Sequence, residues 1–172
     1  MNFIILNGSS CSGKSTIVKN ILEKSDRLFY LSFDRIKWLF SKYSSVDHGD
    51  DVGEVLLSVA NKICEMKYGV ICDSGLHKSW RDKLINIVTL HNYKIIEINL
   101  EADYEVLAQR FDERVAKALA TPEKDRRISN ISVERFKELY DIFQKEKNPS
   151  AITFRTDTQS DEEIAENIIK LF

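Results

Sequence analysis

Cysteine is scarce in this chain, and the three present, Cys11, Cys64 and Cys72, show neither metal-ligand spacing nor a disulfide framework. Two of them sit in apolar runs and one in a loop of small polar residues, the pattern of reduced thiols in a cytosol. Charge of one sign is also lacking: 25 Lys and Arg against 27 Asp and Glu leave a net charge of −2, with no basic tail or block. That argues against a protein held along a nucleic-acid backbone, although a local basic groove is compatible with it. No apolar run approaches the length that spans a bilayer, and a strand-like run already starts at Asn2, so neither a membrane anchor nor a leader peptide is expected. Internal repeats and low-complexity tracts are missing too. What these absences leave is one domain over residues 1–172, long enough to bury a substantial core, in a cytoplasmic setting.

Strand-like runs are present at Asn2–Leu6 (NFIIL), Leu28–Phe33, Gly69–Asp73, Lys94–Leu100 and Ala151–Thr156. Most are too uniformly apolar to have a wet face, the habit of parallel strands covered on both sides. Helical periodicity fills the intervals at about 14–23, 34–43, 78–91, 133–145 and 162–171. Two further apolar stripes run through Val52, Val55, Leu56, Val59, Ile63 and Met66, and through Tyr104, Leu107, Phe111 and Val115. Strand alternating with helix predicts an α/β fold with a parallel sheet and right-handed crossovers, whose ligands collect outside the carboxyl ends of the strands. Only Ala120–Ser132 lacks periodicity; it is charged, bounded by Pro122, and expected to belong to a lid over residues 116–132.

The most informative stretch follows the first strand. Gly8–Ser9–Ser10–Cys11–Ser12–Gly13–Lys14–Ser15 fits G-x-x-x-x-G-K-S/T, the phosphate-binding loop, in the strand-before, helix-after context that the motif requires. Small side chains from Gly8 to Gly13 let backbone N–H groups curl around phosphate oxygens, and the helix that begins near Lys14 points its positive dipole end at them. Lys14 is expected on the β- and γ-phosphates, the Ser15 hydroxyl on Mg²⁺, and Thr16 to complete the nucleotide site.

Two acids fall at strand ends. Asp73 closes the run YGVICD and suits an acid that holds Mg²⁺ directly or through water; a turn or helix-cap Asp is the plainer reading. Asp34 opens the segment DRIKWLF, where a carboxylate either takes the proton of an attacking hydroxyl or caps the helix. Arg110 and Arg114 stand four apart on one helical face, a spacing that disfavours a helix slightly unless an anion lies nearby. They are read as catalytic cations for a transferring phosphoryl group, against solvated arginines neutralised by Asp112 and Glu113. Arg126 and Arg127, in the expected lid, extend that possibility. His48 with Asp50 and Asp51 fits no standard ligand set, and His77 is a weak candidate for acceptor contact. Trp38, Tyr43 and Trp80 read as packing rather than stacking platforms.

The segments IILNGSSCSGKSTIVKNIL, SFDRIKWLF and VICDSGL resemble the chloramphenicol phosphotransferase-like branch of small P-loop kinases, and the same plan is similar to the kinase domain of bacteriophage polynucleotide kinase. The resemblance covers roughly the first two-thirds of the chain and becomes only architectural beyond Arg114. It implies a three-layer P-loop nucleoside-triphosphate hydrolase-type fold: a five-stranded parallel sheet with helices on both faces and a small lid. It also implies ATP with Mg²⁺ as donor, Asp34 as catalytic acid/base, Arg114 as the transition-state arginine, and a small-molecule hydroxyl as acceptor. The acceptor pocket does not carry over, because 47–51 and 116–132 match no family pattern. A polynucleotide 5′-hydroxyl kinase stays open through Arg35, Lys37 and Lys42 near Asp34, without support from the overall charge. A nucleotide-binding switch also stays open, but NKIC and DSG replace the N-K-x-D and D-x-x-G that guanine switches need.

Overall fold

Apolar residues on successive strand positions send their side chains to opposite faces, so the run Phe3-Ile4-Ile5-Leu6 can be fully buried only if both faces are covered. The computed structural model, which describes residues 1–73, 78–120 and 131–172, shows that arrangement. The order along the chain is β1 (Asn2–Gly8), α1 (Lys14–Lys24), β2 (Leu28–Leu31), α2 (Phe33–Lys37), α3 (Ser45–Glu65), β3 (Gly69–Cys72) and α4 (Lys78–Leu90). It continues through β4 (Lys94–Glu101), α5 (Tyr104–Ala120), α6 (Val133–Glu146), β5 (Ile152–Arg155) and α7 (Asp161–Ile169). All five strands are parallel, in the order β2-β3-β1-β4-β5. The expected α/β three-layer architecture with a five-stranded parallel sheet is therefore present.

Phe3, Ile5, Leu31, Val70 and Cys72 face α3 and α4, meeting Leu56, Leu57, Ala60, Cys64, Leu84 and Val88. Ile4, Leu6, Ile71, Ile98 and Leu100 face α1 and α7, meeting Ile17, Val18, Ile21, Ile164 and Ile168. A third, smaller core of Ala102, Leu107, Phe111 and Phe136 joins α5 to α6, with the Phe111 and Phe136 rings stacked at 4.5 Å between centroids. The half-buried Cys11 of the phosphate loop rests against this third core.

Three expectations need correction. The helix expected over 34–43 stops at Lys37, because Trp38 caps it and i→i+3 bonds from Leu39 to Ile36 and from Phe40 to Lys37 tighten the chain into turns. Those turns, with Lys42 at φ 52°, leave Trp38 42% exposed rather than packed, its ring edge-on to Tyr43. His48 has a local part in the next helix, where its Nδ1 accepts from the Ser44 N–H at 3.2 Å. Second, the buried face of α3 is turned from the expected stripe: Val52, Gly53, Leu56, Leu57, Ala60 and Cys64 are buried, while Val55 and Met66 are 40% and 48% exposed. Small residues such as Gly53 and Ala60 share the contact with Val52, Leu56 and Leu57. Third, α5 runs on to Ala120, so residues 116–120 of the expected lid are helix; 121–130, with Arg126 and Arg127, and His77 lie outside the described residues.

Gly53 shows why that face turns. A Cβ there would stand 2.6 Å from the Trp80 ring, so the indole of α4 lies directly on the glycine backbone. Gly53→Val is expected to cost about 3 kcal/mol, the upper range for overpacking, and to lower the melting temperature by roughly 6–12 °C. Gly49→Val, where nothing lies within 4 Å of the added Cβ, serves as the control. Equal melting temperatures for the two variants would remove the Trp80 contact as the cause.

Candidate functional site

The phosphate loop owes its shape to two glycines that do different things. At Gly8, a Cβ would collide with the Ser12 side chain and stand 3.0 Å from the Leu100 carbonyl, so only glycine lets the loop fold back over the strand end. Gly13 has φ 85°, a left-handed conformation in which it caps α1, its carbonyl accepting from the Thr16 and Ile17 N–H groups at 3.0 Å each. Cys11 is also left-handed, at φ 63°, an uncommon state for a residue with a side chain. Ser9 and Ser12 are buried beneath the loop, and α1 supplies an eleven-residue dipole behind it. Lys14 folds inward: its Nζ donates to the carbonyls of Gly8 at 2.7 Å and Ser9 at 2.8 Å and to Ser12 Oγ at 3.4 Å. Burial lowers its pKa, and the carboxylates of Asp73 and then Asp34 pull it back up. The site residues Gly8 to Thr16 are thus brought into one turn, with Ser15 and Thr16 exposed in the first turn of α1.

Parallel pairing of β2 with β3 places Tyr30 level with Ile71, two residues before Asp73. The Tyr30 hydroxyl donates to Asp73 Oδ2. Asp73 Oδ1 is buried and has no hydrogen-bond partner among the described residues. Burial raises the Asp73 pKa, against the Tyr30 and Ser32 hydroxyls and Lys14, which lower it. A buried carboxylate oxygen without a donor suits a cation or its water, so Asp73 fits the divalent metal expected there. Burial, with the neighbouring Asp73 charge, also pushes the Tyr30 phenol above its ordinary range, which keeps it a donor.

Asp34 lies in the first turn of α2 and is not its cap. Ser32 fills that place, its Oγ accepting from the Arg35 N–H at 3.4 Å, so the capping alternative for Asp34 falls away. The Asp34 side chain is 75% exposed and its Oδ1 meets Lys37 Nζ at 2.5 Å. Its charge nevertheless reaches both Lys14 and Asp73, raising the pKa of each. The three groups share one neighbourhood.

The two arginines of α5 separate. Arg110 donates to the Thr156 carbonyl at 2.6 Å and to Thr156 Oγ1 at 3.0 Å, and reaches the Cys11 carbonyl at 3.5 Å. It ties the phosphate loop to the segment after β5, so the structure places Arg110 in a bracing position between Cys11 and Thr156, apart from Arg114. Arg114 is exposed and lies against the Cys11 thiol, whose pKa burial raises and Arg114 lowers. Asp161, the first residue of α7, closes the far side, its carboxylate 3.5 Å from the Cβ position at Gly13. Sequence reasoning missed Tyr30, Ser32 and Thr156. Ser32 three residues ahead of Arg35 is a legible cap signal, and a lone phenol in the strand LFYL needs a buried partner, but Thr156 had no signal of its own.

Known proteins add to this geometry. No protein of curated function matches the chain. Among solved structures, the tunicamycin resistance protein of Deinococcus radiodurans is 12% identical with a TM-score of 0.66, over 99% of this chain and 95% of that one. APS kinase of Mycobacterium tuberculosis, solved with AMPPNP and APS, is 20% identical with a TM-score of 0.65, over 99% and 96%. A chain of the Pnkp1/Rnl/Hen1 RNA repair complex is 16% identical with a TM-score of 0.63, over 84% of this chain and 44% of that one. The fold is that of the P-loop kinases. The pattern of one family, described as an AAA domain, spans the phosphate loop, both strand-end acids and the arginine helix, matching residues 3–142. By that match, over most of its length, the chain belongs to the AAA domain family.

Proposed function

We propose that this protein is a phosphotransferase that moves the γ-phosphoryl group of ATP to a hydroxyl of a small-molecule acceptor, with Mg²⁺. The observation that carries the reading is the convergence of Lys14, Asp73 and Asp34 just past the carboxyl ends of three adjacent parallel strands, β1, β3 and β2, where the charges of Asp73 and Asp34 both act on Lys14. A nucleotide switch needs a phosphate loop and a metal acid; a kinase needs in addition a group for the acceptor hydroxyl, and the exposed Asp34 carboxylate offers one. In this reading the N–H groups of Gly8–Thr16 cradle the phosphates and Lys14 turns from its loop carbonyls to the β- and γ-oxygens. Ser15 and Asp73 hold the cation, which neutralises charge on the phosphate oxygens when bound. Asp34 orients the acceptor hydroxyl and takes its proton. Arg114 stabilises charge on the moving phosphoryl group, and Arg110 keeps the loop in register through Cys11 and Thr156.

The small-molecule class rests on charge and on the relatives. Arg35 lies over the Tyr30 ring and Lys37 pairs with Asp34, so two of the three cations near the candidate base, Lys42 being the third, already have partners within the fold. APS kinase and the other small-molecule kinases of this fold, a gluconokinase and a shikimate kinase, support the class. Incubation with γ-labelled ATP, Mg²⁺ and two pools, small hydroxyl compounds and 5′-hydroxyl oligonucleotides, tests it. Label is expected on a member of the first pool. Label on the oligonucleotides instead would make the protein a polynucleotide kinase, and tight ATP binding with label on neither would make it a switch.

A further inference from the structure

The Asp73 carboxylate is held from the β2 side, by the Tyr30 hydroxyl and beside it the Ser32 hydroxyl. The Tyr30 hydroxyl occupies Oδ2, and Oδ1, buried and without a partner among the described residues, is the oxygen left for a cation. A carboxylate is a two-sided ligand whose oxygens exchange on a rotation about its last torsion, which is broad and soft. A donor fixed on one oxygen removes that freedom. Tyr30 is itself fixed, by its place in β2 and by the Arg35 guanidinium, whose carbon stands 4.5 Å from the centre of the phenol ring. Arg35 follows Asp34 in α2, so one ring touches both the metal acid and the helix of the candidate base.

We propose that Tyr30 is a positioning residue: its hydroxyl holds Asp73 so that Oδ1 faces the divalent cation, and its ring, under Arg35, sets α2 against the end of β3. This rests on the assignment of Asp73 to the cation made under the proposed function. Partners that orient a metal ligand typically account for about 10–100-fold in metal affinity, because the ligand no longer has to be ordered when the ion binds. Tyr30→Phe removes the hydroxyl and keeps the ring for Arg35, and so isolates the first half of the role.

The test measures binding of a non-hydrolysable ATP analogue to the full chain by calorimetry, with Mg²⁺ and with chelator, alongside thermal melting. For Tyr30→Phe, the affinity gained on adding Mg²⁺ is expected to fall about tenfold or more, while affinity for the metal-free nucleotide stays within about twofold. An unchanged Mg²⁺-dependent gain, in a variant that folds, would reduce Tyr30 to a hydrogen bond that only satisfies a buried carboxylate. Asp73→Asn separates the two layers of the argument. If it keeps the full Mg²⁺-dependent gain, the cation assignment falls and the role of Tyr30 with it; if it loses the gain and Tyr30→Phe does not, only the role of Tyr30 falls. Should Tyr30→Phe alone not fold, Arg35→Ala, which leaves the Tyr30 hydroxyl on Asp73 but removes the guanidinium over the ring, is measured in the same way. A Mg²⁺-dependent gain reduced by at least about twofold is then expected, and an unchanged gain would overturn the positioning role.

Discussion

Lys14→Ala is expected to reduce phosphoryl transfer by at least about 10³-fold, the upper range for removing a group aimed at charge that develops in the transition state. The fold should survive. Lys14 Nζ makes its bonds to the carbonyls of Gly8 and Ser9 and to Ser12 Oγ, all within its own loop, and none to the sheet core. Losing those bonds removes charge-assisted contacts, but it also removes an ammonium whose lowered pKa records the cost of its burial. These effects oppose each other, so the melting temperature should stay within about 4 °C of wild type, equivalent to about 1 kcal/mol for a chain of this size. Transfer from labelled ATP and thermal melting, measured on one preparation, check both halves. A folded variant with near-normal transfer would remove Lys14 from the phosphates, and a collapsed one would make it a structural tie of the loop.

The phosphate loop was legible in the sequence because its residue types are dictated within ten positions. Gly8 answers a collision with Ser12 and Leu100, and Gly13 a positive φ, and both show as spacing. The sheet was legible because Phe3-Ile4-Ile5-Leu6 and its companions have no wet face. Residues that act across long separations were harder to read. Tyr30 and Asp73 are 43 positions apart and meet only through the register of β2 on β3. Arg110 and Thr156 are 46 apart, and nothing in the four-residue spacing to Arg114 shows that the end of β5 folds over one arginine and leaves the other clear. The face of α3 misled for another reason. Gly53 answers the close approach of Trp80, which hydropathy does not report, so the face turns toward it and, of the expected stripe, Val52 and Leu56 are buried while Val55 and Met66 are left exposed.

The split between the arginines changes what the site asks of its remaining groups. In the proposed phosphotransferase, with Arg110 bracing Cys11 and Thr156, α5 offers Arg114 as the cation for the transferring group, and Asp34 is the group offered to the nucleophile. Lys14 sits beside two carboxylates at this edge, the buried Asp73 and the exposed Asp34, with the α1 dipole behind the loop.

Asp34→Asn separates a kinase from a nucleotide switch, and its effect on stability should be small for reasons the structure supplies. Ser32, not Asp34, caps α2, so the cap is untouched. The pair lost with Lys37 is mostly exposed on the Asp34 side, and pairs of that kind contribute roughly 0–1 kcal/mol. Asparagine keeps the size of the side chain but cannot take a proton from an acceptor hydroxyl, and losing a positioned base typically costs about 10²–10⁴-fold in rate. The loose transition state of phosphoryl transfer shifts the expectation to the lower end, about 10²-fold, because the nucleophile needs orientation more than deprotonation. Loss of the Asp34 charge also lets the pKa of Asp73 fall, since that carboxylate raises it, so Asp73 is at least as fully ionised in the variant. Nucleotide binding with Mg²⁺ should therefore be retained while transfer to the acceptor is lost. The acceptor found in the labelled pools, single-turnover transfer and calorimetry with a non-hydrolysable analogue give the three readouts. Wild-type transfer by Asp34→Asn would leave the exposed carboxylate without a part in the chemistry, while the transfer itself would still mark the protein as a kinase.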